Sequence, residues 1–197
     1  GFGVLFFPGI LFMSLLFMGQ GLAGDVWVEK KNGTLRRALV APGGAVPLLG
    51  GKILSGMIVA AAVSFGAMIL GRFLFGIPAG RLAVGLVWAA FSGGVLLSLM
   101  IVIQVYAATQ RAAGLLTSLI LFPLLMVGGS FFPFEAMPEG MARIGKLTPN
   151  GFALEELKAI LLGRADLAGL VLPLLGLLTA GGLAFLVSAR RLPRFLL

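Results

Sequence analysis

The sequence predicts an all-α integral membrane protein with about five transmembrane helices. Three observations carry that prediction. The chain is 59% hydrophobic and 11% charged, against roughly 45–50% and about 25% in an ordinary soluble domain. Its apolar residues fall into long uncharged runs without the period-two alternation of a barrel strand. Its basic residues fall in the gaps between those runs, with an excess in alternate gaps.

The spans are read at approximately 3–24, 51–71, 82–106, 112–130 and 167–189. Each approaches or exceeds the ~20 residues that carry a helix across a hydrocarbon core of ~30 Å. Pro8, Pro123 and Pro173 lie in or near spans, where they are expected to kink them. Gly56, Ala60 and Ser64, and again Gly85, Ala89 and Gly93, recur every fourth residue. That spacing lets helix backbones approach closely in lipid, within one bundle or across a dimer face. Trp27, Phe73, Phe75 and Tyr106 stand where an interfacial aromatic belt is expected.

Composition also excludes. The chain has no Cys and no His, so zinc sites, His-dependent triads and the HExxH and rhomboid types of intramembrane protease drop out. No metal site and no catalytic residue is assigned. The net charge of +8 reads as a topology signal rather than a nucleic-acid footprint, because the cations sit in short loops. Placing the loop after the first span in the cytoplasm puts the basic excess inside and most acids outside, with the carboxyl end cytoplasmic. The chain starts at Gly1 with no basic region before the first apolar run. A signal peptide is therefore not expected, and a missing preceding segment is.

Two segments break the apolar pattern. The first, 25–50, is expected as a cytoplasmic loop. Asn32-Gly33 signals a turn, and Thr34 is placed to cap a short helix ending near Pro42. On that helix Leu35 and Leu39 share one side while Arg36 and Arg37 point elsewhere. An apolar knob with basic flanks suits docking into a groove on a cytoplasmic partner. The same residues also suit a loop that only sets topology and binds anionic headgroups. Lys52, just beyond, reads as a snorkelling span-end lysine.

The second segment, 131–166, has mixed charge. Pro138 opens one short helix with Met141 and Ile144 on its apolar side. Thr148 caps another that starts at Pro149. Leu154, Leu157 and Leu161 line one side of that second helix, with Glu155, Glu156 and Lys158 off it. Helices this short lie at the interface or dip into the membrane as a hairpin.

No internal energy source is visible. Gly50-Gly51-Lys52 lacks the leading Gly of a phosphate loop, with Val46 in its place, and Ile53 follows. The uncharged runs hold no ionisable group of the kind that ion-coupled carriers place at mid-membrane depth.

Two patches carry a family resemblance. The first runs from the proline-containing span through Glu29-Lys30, Gly33-Thr34-Leu35-Arg36-Arg37, Leu39 and Pro42 to Lys52. The second is Gly128-Gly129-Ser130-Phe131-Phe132-Pro133, then Met137-Pro138, then Leu147-Thr148-Pro149-Asn150. Together and in this order they resemble the permease of an ABC-2 type transporter, although Lys30 stands where that family more often has Arg.

The resemblance implies that these are spans two to six of a six-span permease. It implies that Glu29, Lys30, Gly33, Thr34, Leu35, Arg36, Arg37, Leu39 and Pro42 form a coupling element facing a cytoplasmic ABC ATPase subunit. It makes 131–166 an extracellular re-entrant helical hairpin, with Gly129, Phe131, Phe132, Pro133, Pro138 and Pro149 at a gate. ATP and Mg are expected on the partner subunit, with no cofactor bound by this chain. A second permease subunit and membrane lipids are the other expected partners, in a bacterial or archaeal plasma membrane. Efflux of hydrophobic or amphiphilic, drug-like compounds is the first expectation and export of lipid or polysaccharide the second. A membrane anchor for a cytoplasmic partner is the reading from another class.

Overall fold

A computed structural model describes residues 2–165 and 169–196. Among them the chain forms eight α-helices and one 3-10 turn, and no strand. In order they are α1 (Phe2–Lys31), α2 (Thr34–Val40), α3 (Ala45–Phe75), α4 (Ala79–Tyr106), α5 (Gln110–Val127), the turn Phe134–Ala136, α6 (Glu139–Leu147), α7 (Pro149–Leu162) and α8 (Val171–Phe195). Five of these, α1, α3, α4, α5 and α8, are long and apolar enough to cross a membrane. The protein is an all-α integral membrane protein.

The helices outrun the hydropathic spans. α1 continues to Lys31 and α3 already begins at Ala45, so most of 25–50 is helix rather than loop. The physical reason is that Glu and Lys leave the apolar layer without leaving the helix, since both are good helix formers. What interrupts the backbone is glycine. Gly33, Gly43 and Gly44 have φ of 73°, 97° and 63°, and Gly76, at 67°, ends α3, in a region costly for any residue with a Cβ.

α4 is the central post. Its apolar stretch is 61% buried, against 44% in α1 and 22% in α3, α5 and α8. The two small-residue stripes explain how α3 reaches it. Gly93 faces Ala60, Gly94 faces Met57 and Gly85 faces Met68, while Gly56 lies against Leu97. Both stripes are thus used inside the chain, and the larger faces of α3, α5 and α8 are left for lipid or other subunits. A buried polar bridge joins α4 to α5, where Gln104 Nε2 donates to Thr117 Oγ1 at 2.9 Å. On its own helix Thr117 donates back to the Ala113 carbonyl at 2.8 Å. Of the aromatic belt, Phe73, Phe75 and Tyr106 are exposed, but Trp27 is buried.

Connectivity places α2 at one end of the bundle and the α6–α7 hairpin at the other. The hairpin is embedded. Trp88 Nε1 donates to the Ala153 carbonyl of α7 at 2.8 Å, and Trp88 lies about 13 Å along α4 from its start.

Candidate functional site

The α2 end is assembled from the feet of α1 and α3. Asn32 N–H donates to Val28 O at 2.9 Å and Gly33 N–H to Lys30 O at 3.2 Å, so α1 ends in a tight turn. Gly33 is the cap residue of α2. Thr34, expected in that role, is instead the first helical residue and donates through Oγ1 to Glu29 O at 3.2 Å. The left-handed glycine supplies the turn that a threonine cap would have needed a β-region backbone to make.

Two further expectations at this end are corrected. Leu35 is 1% exposed. It is a root that fixes α2 to its own bundle, not a knob offered to a partner, because seven residues of helix need an apolar anchor to hold still. Lys30 also faces inward. It donates to the Phe195 carbonyl at the end of α8 and lies 4.2 Å from the Phe195 ring centroid and 5.4 Å from that of Trp27. Glu29 is engaged as well, pairing with Lys52 at 2.6 Å. Lys52 therefore ties α3 to α1 rather than simply snorkelling. What α2 presents outward is Thr34, Arg36 and Arg37, with Val40 and Pro42 beside them, while Leu39 and Gly33 are half-buried.

The hairpin end is a close-packed corner. A Cβ on Gly145 would overlap the Val127 carbonyl oxygen, and one on Gly151 the Gly145 carbonyl oxygen. Phe134 fills the corner, its ring against both Gly129 and Gly145. Asn150, wholly buried, donates to Ser130 Oγ at 3.1 Å and Gly128 O at 3.4 Å. Thr148 caps α7 as expected, accepting from Gly151 N–H at 3.1 Å and donating to Gly145 O at 2.6 Å. Pro149 follows at the first helical position.

Of the predicted gate residues, Phe131 and Phe132 are exposed, as is Pro138; Gly129 and Pro133 are buried and Pro149 half-buried. The anchors Phe134 and Trp88 carried no special signal in sequence, and Asn150 stood out only as the last residue of the second family patch.

Both lysines at this end are paired. Leu154, Leu157 and Leu161 are buried as the pattern predicts, but Lys158 is buried with them, at 3% exposure. It pairs with Glu135 on the 3-10 turn. A buried ammonium needs an acceptor within reach, and Glu135 supplies it from 23 residues upstream. Burial pushes the Glu135 carboxyl up, but hydrogen bonds from Lys158 and the backbone, with the Lys158 and Lys146 charges, leave it below the usual carboxylate range. Lys146 pairs with Glu155 at 3.1 Å. Burial, and then the neighbouring Glu155 charge, push Glu156 up. Ile144, expected on the apolar side of α6, is exposed.

Among the described residues no group of acidic side chains could hold a metal ion. The geometry offers two mechanical elements, a basic helix rooted at one end and a rigid corner wedged into the other.

Comparison with known proteins places this arrangement. The family model described as ABC-2 type transporter matches residues 1–162, which takes in α1 through α7. Over 174 residues the chain is 29% identical to the linearmycin resistance permease protein LnrN of Bacillus subtilis (strain 168), covering 87% of this chain and 44% of that protein. The chain thus spans less than half the length of that curated relative. No solved structure gives a significant match. With both sequence patches inside the matched region, the chain belongs to the ABC-2 type transporter family.

Proposed function

We propose that the chain forms spans two to six of a permease subunit that exports hydrophobic or amphiphilic compounds, driven by a separate ATPase. In this reading α2 faces the cytoplasm and receives the ATPase, the hairpin lies on the outer side, and two permease subunits enclose the pathway in a bacterial or archaeal plasma membrane. One observation carries it. α2 is a short helix with free cations outward; Leu35 is buried at its base, Thr34 donates to the Glu29 carbonyl of α1, and the Glu29–Lys52 pair in turn ties the foot of α1 to that of α3. A displacement of α2 is therefore passed to two spans at once, which is what a chain without a phosphate loop of its own requires. The relative's name, a resistance permease, favours drug-like cargo over lipid or polysaccharide. A mere membrane anchor would have no use for the embedded hairpin.

The test is reconstitution of the permease with its ATPase. Arg36→Glu with Arg37→Glu is expected to lower permease-stimulated ATP hydrolysis and export by at least tenfold while leaving the permease folded. Unchanged stimulation would remove α2 from the coupling path. Sidedness is tested by labelling Gly140→Cys, an exposed position in a chain without native cysteine. Reaction from the cytoplasmic side alone would invert the topology.

A further inference from the structure

The end of α8 meets the end of α1 in a cluster that leaves two buried donors without partners. Trp27 is 8% exposed. Its ring meets Phe195 edge-on at 4.7 Å, and its indole Nε1–H is buried without a partner. One turn back on α8, Arg191 stacks over Tyr106 at 5.1 Å, and its Nε–H is buried without a partner too. Arg190, Arg194 and Lys31 stand exposed around them. None of these cations is in an ion pair within the described residues. Of the acids on α1, Glu29 pairs through Oε1 with Lys52 at 2.6 Å while its Oε2 is buried without a partner, and Asp25 is exposed a turn above.

Buried donors left unmade are costly, and each asks for an acceptor. The depth of the cluster says which kind. α1 has 30 residues and so runs about 45 Å, longer than a hydrocarbon core of ~30 Å. Its last turns, and those of α8, therefore reach the headgroup layer, where Trp, Tyr, Lys and Arg gather and phosphate is abundant. Above the cluster α8 shows an apolar strip to the outside, Leu183, Leu186 and Val187, on which an acyl chain can lie.

We propose that the α1–α8 foot is a binding site for one anionic phospholipid. Its phosphate accepts from Arg191 and from Trp27 Nε1–H, with Arg194 and Lys31 supplying the surrounding positive charge. Its acyl chains run along the α8 strip. The excess of cations over acids selects an anionic headgroup over a zwitterionic one. The site needs no assumption about which face of the membrane this end occupies.

The experiment is thermal unfolding and native mass spectrometry of the delipidated permease in neutral detergent. It is titrated with dioleoylphosphatidylglycerol, with dioleoylphosphatidylcholine and with glycerol phosphate. Phosphatidylglycerol is expected to raise the unfolding temperature saturably and to remain bound as one adduct, with at least tenfold weaker binding in Arg191→Gln. Arg194→Gln, at an exposed position, is expected to weaken binding severalfold without changing the lipid-free protein, so the test stands if the first variant misfolds. Arg111→Gln, an exposed cation on α5, is expected to bind like the parent. Equal stabilisation by phosphatidylcholine, an unchanged titration in Arg191→Gln and Arg194→Gln, or full reproduction by glycerol phosphate would each overturn the proposal. The last would make the foot a soluble-phosphate site.

Discussion

The two ends of the bundle use the same residue types for opposite purposes. At the hairpin end Gly145 and Gly151 are glycine because another backbone occupies the space of a side chain. At the α2 end Gly33, Gly50 and Gly51 have open space around them, and Gly33 is there for its φ of 73°. Lysines divide likewise. Lys146 and Lys158 are matched by Glu155 and Glu135, whereas around α2 the Glu29–Lys52 pair is surrounded by exposed Lys31, Arg36, Arg37, Arg190 and Arg194. One end pairs its lysines and holds a shape, leaving only the acceptors Asn150 Oδ1 and Glu155 Oε2 buried without partners among the described residues. The other keeps donors over for something outside the chain.

The strongest way to break the comparison is to add volume where it says none exists. Gly145→Leu forces a side chain into the Val127 carbonyl and the Phe134 ring. Because the obstacle is backbone, the cost should exceed the ~1–3 kcal/mol of ordinary overpacking. Loss of monodisperse protein after detergent extraction is the expected outcome. Gly50→Leu, in open space at the other end, should extract normally. Comparable yields would mean that the corner is far looser than its contacts.

Next in size is the buried pair. Glu135→Gln leaves Lys158 charged inside the hairpin, whereas Lys158→Met removes the buried charge itself. Breaking a fully buried pair costs ~3–5 kcal/mol. Glu135 is about half exposed, so about 1–3 kcal/mol is expected for Glu135→Gln, and clearly less for Lys158→Met. Thermal unfolding of both variants decides it. If the lysine variant is the less stable, the ammonium is not the burden described.

Much of this was legible in sequence, and the parts that were not have physical reasons. The five long helices, the Thr148 cap and the leucine side of α7 follow from hydropathy and period alone. Lys158 was placed off that side because helical spacing reports which residues share a face. It does not report that Glu135, on a separate turn, would make a buried charge tolerable. Leu35 is ambiguous in sequence for a related reason. An apolar residue on a short charged helix looks the same in sequence whether it roots the helix or reaches for a partner. Trp27 and Lys30 escaped because their partner, Phe195, lies at the far end of the chain.

A smaller effect probes the joint at the α2 end. Gly33→Val must adopt a left-handed backbone, at a cost of roughly 1–2 kcal/mol, though no atom blocks its side chain. Gly33→Asn, which tolerates that region, should cost less. If α2 works as a lever, the valine variant loses ATPase stimulation in proportion to its shift in unfolding temperature, and the asparagine variant keeps most of both.

The smallest effect separates the two shifted acids of the hairpin. Glu156 is raised above its ordinary 4.5, first by burial and then by Glu155, whose own charge is also met by Lys146 at 3.1 Å. A raised carboxyl binds its proton more tightly folded than unfolded. Its ionised form therefore destabilises the fold at neutral pH, and that penalty fades as pH falls through the raised value towards 4.5. Glu135 works the other way. Its folded value is lowered, so its contribution with Lys158 is complete above 4.5 and is lost as pH falls through the lowered value. Glu156→Gln should then unfold at a slightly higher temperature than the parent at pH 7, with the difference shrinking on acidification. Glu135→Gln should show a deficit that narrows only at more acid pH. Unfolding temperatures measured for all three proteins from neutral to strongly acid pH distinguish the cases. Parallel curves would mean that neither acid feels the hairpin interior, and the contrast between an end with paired lysines and one with free cations would rest on the glycines and the Lys158 burial alone.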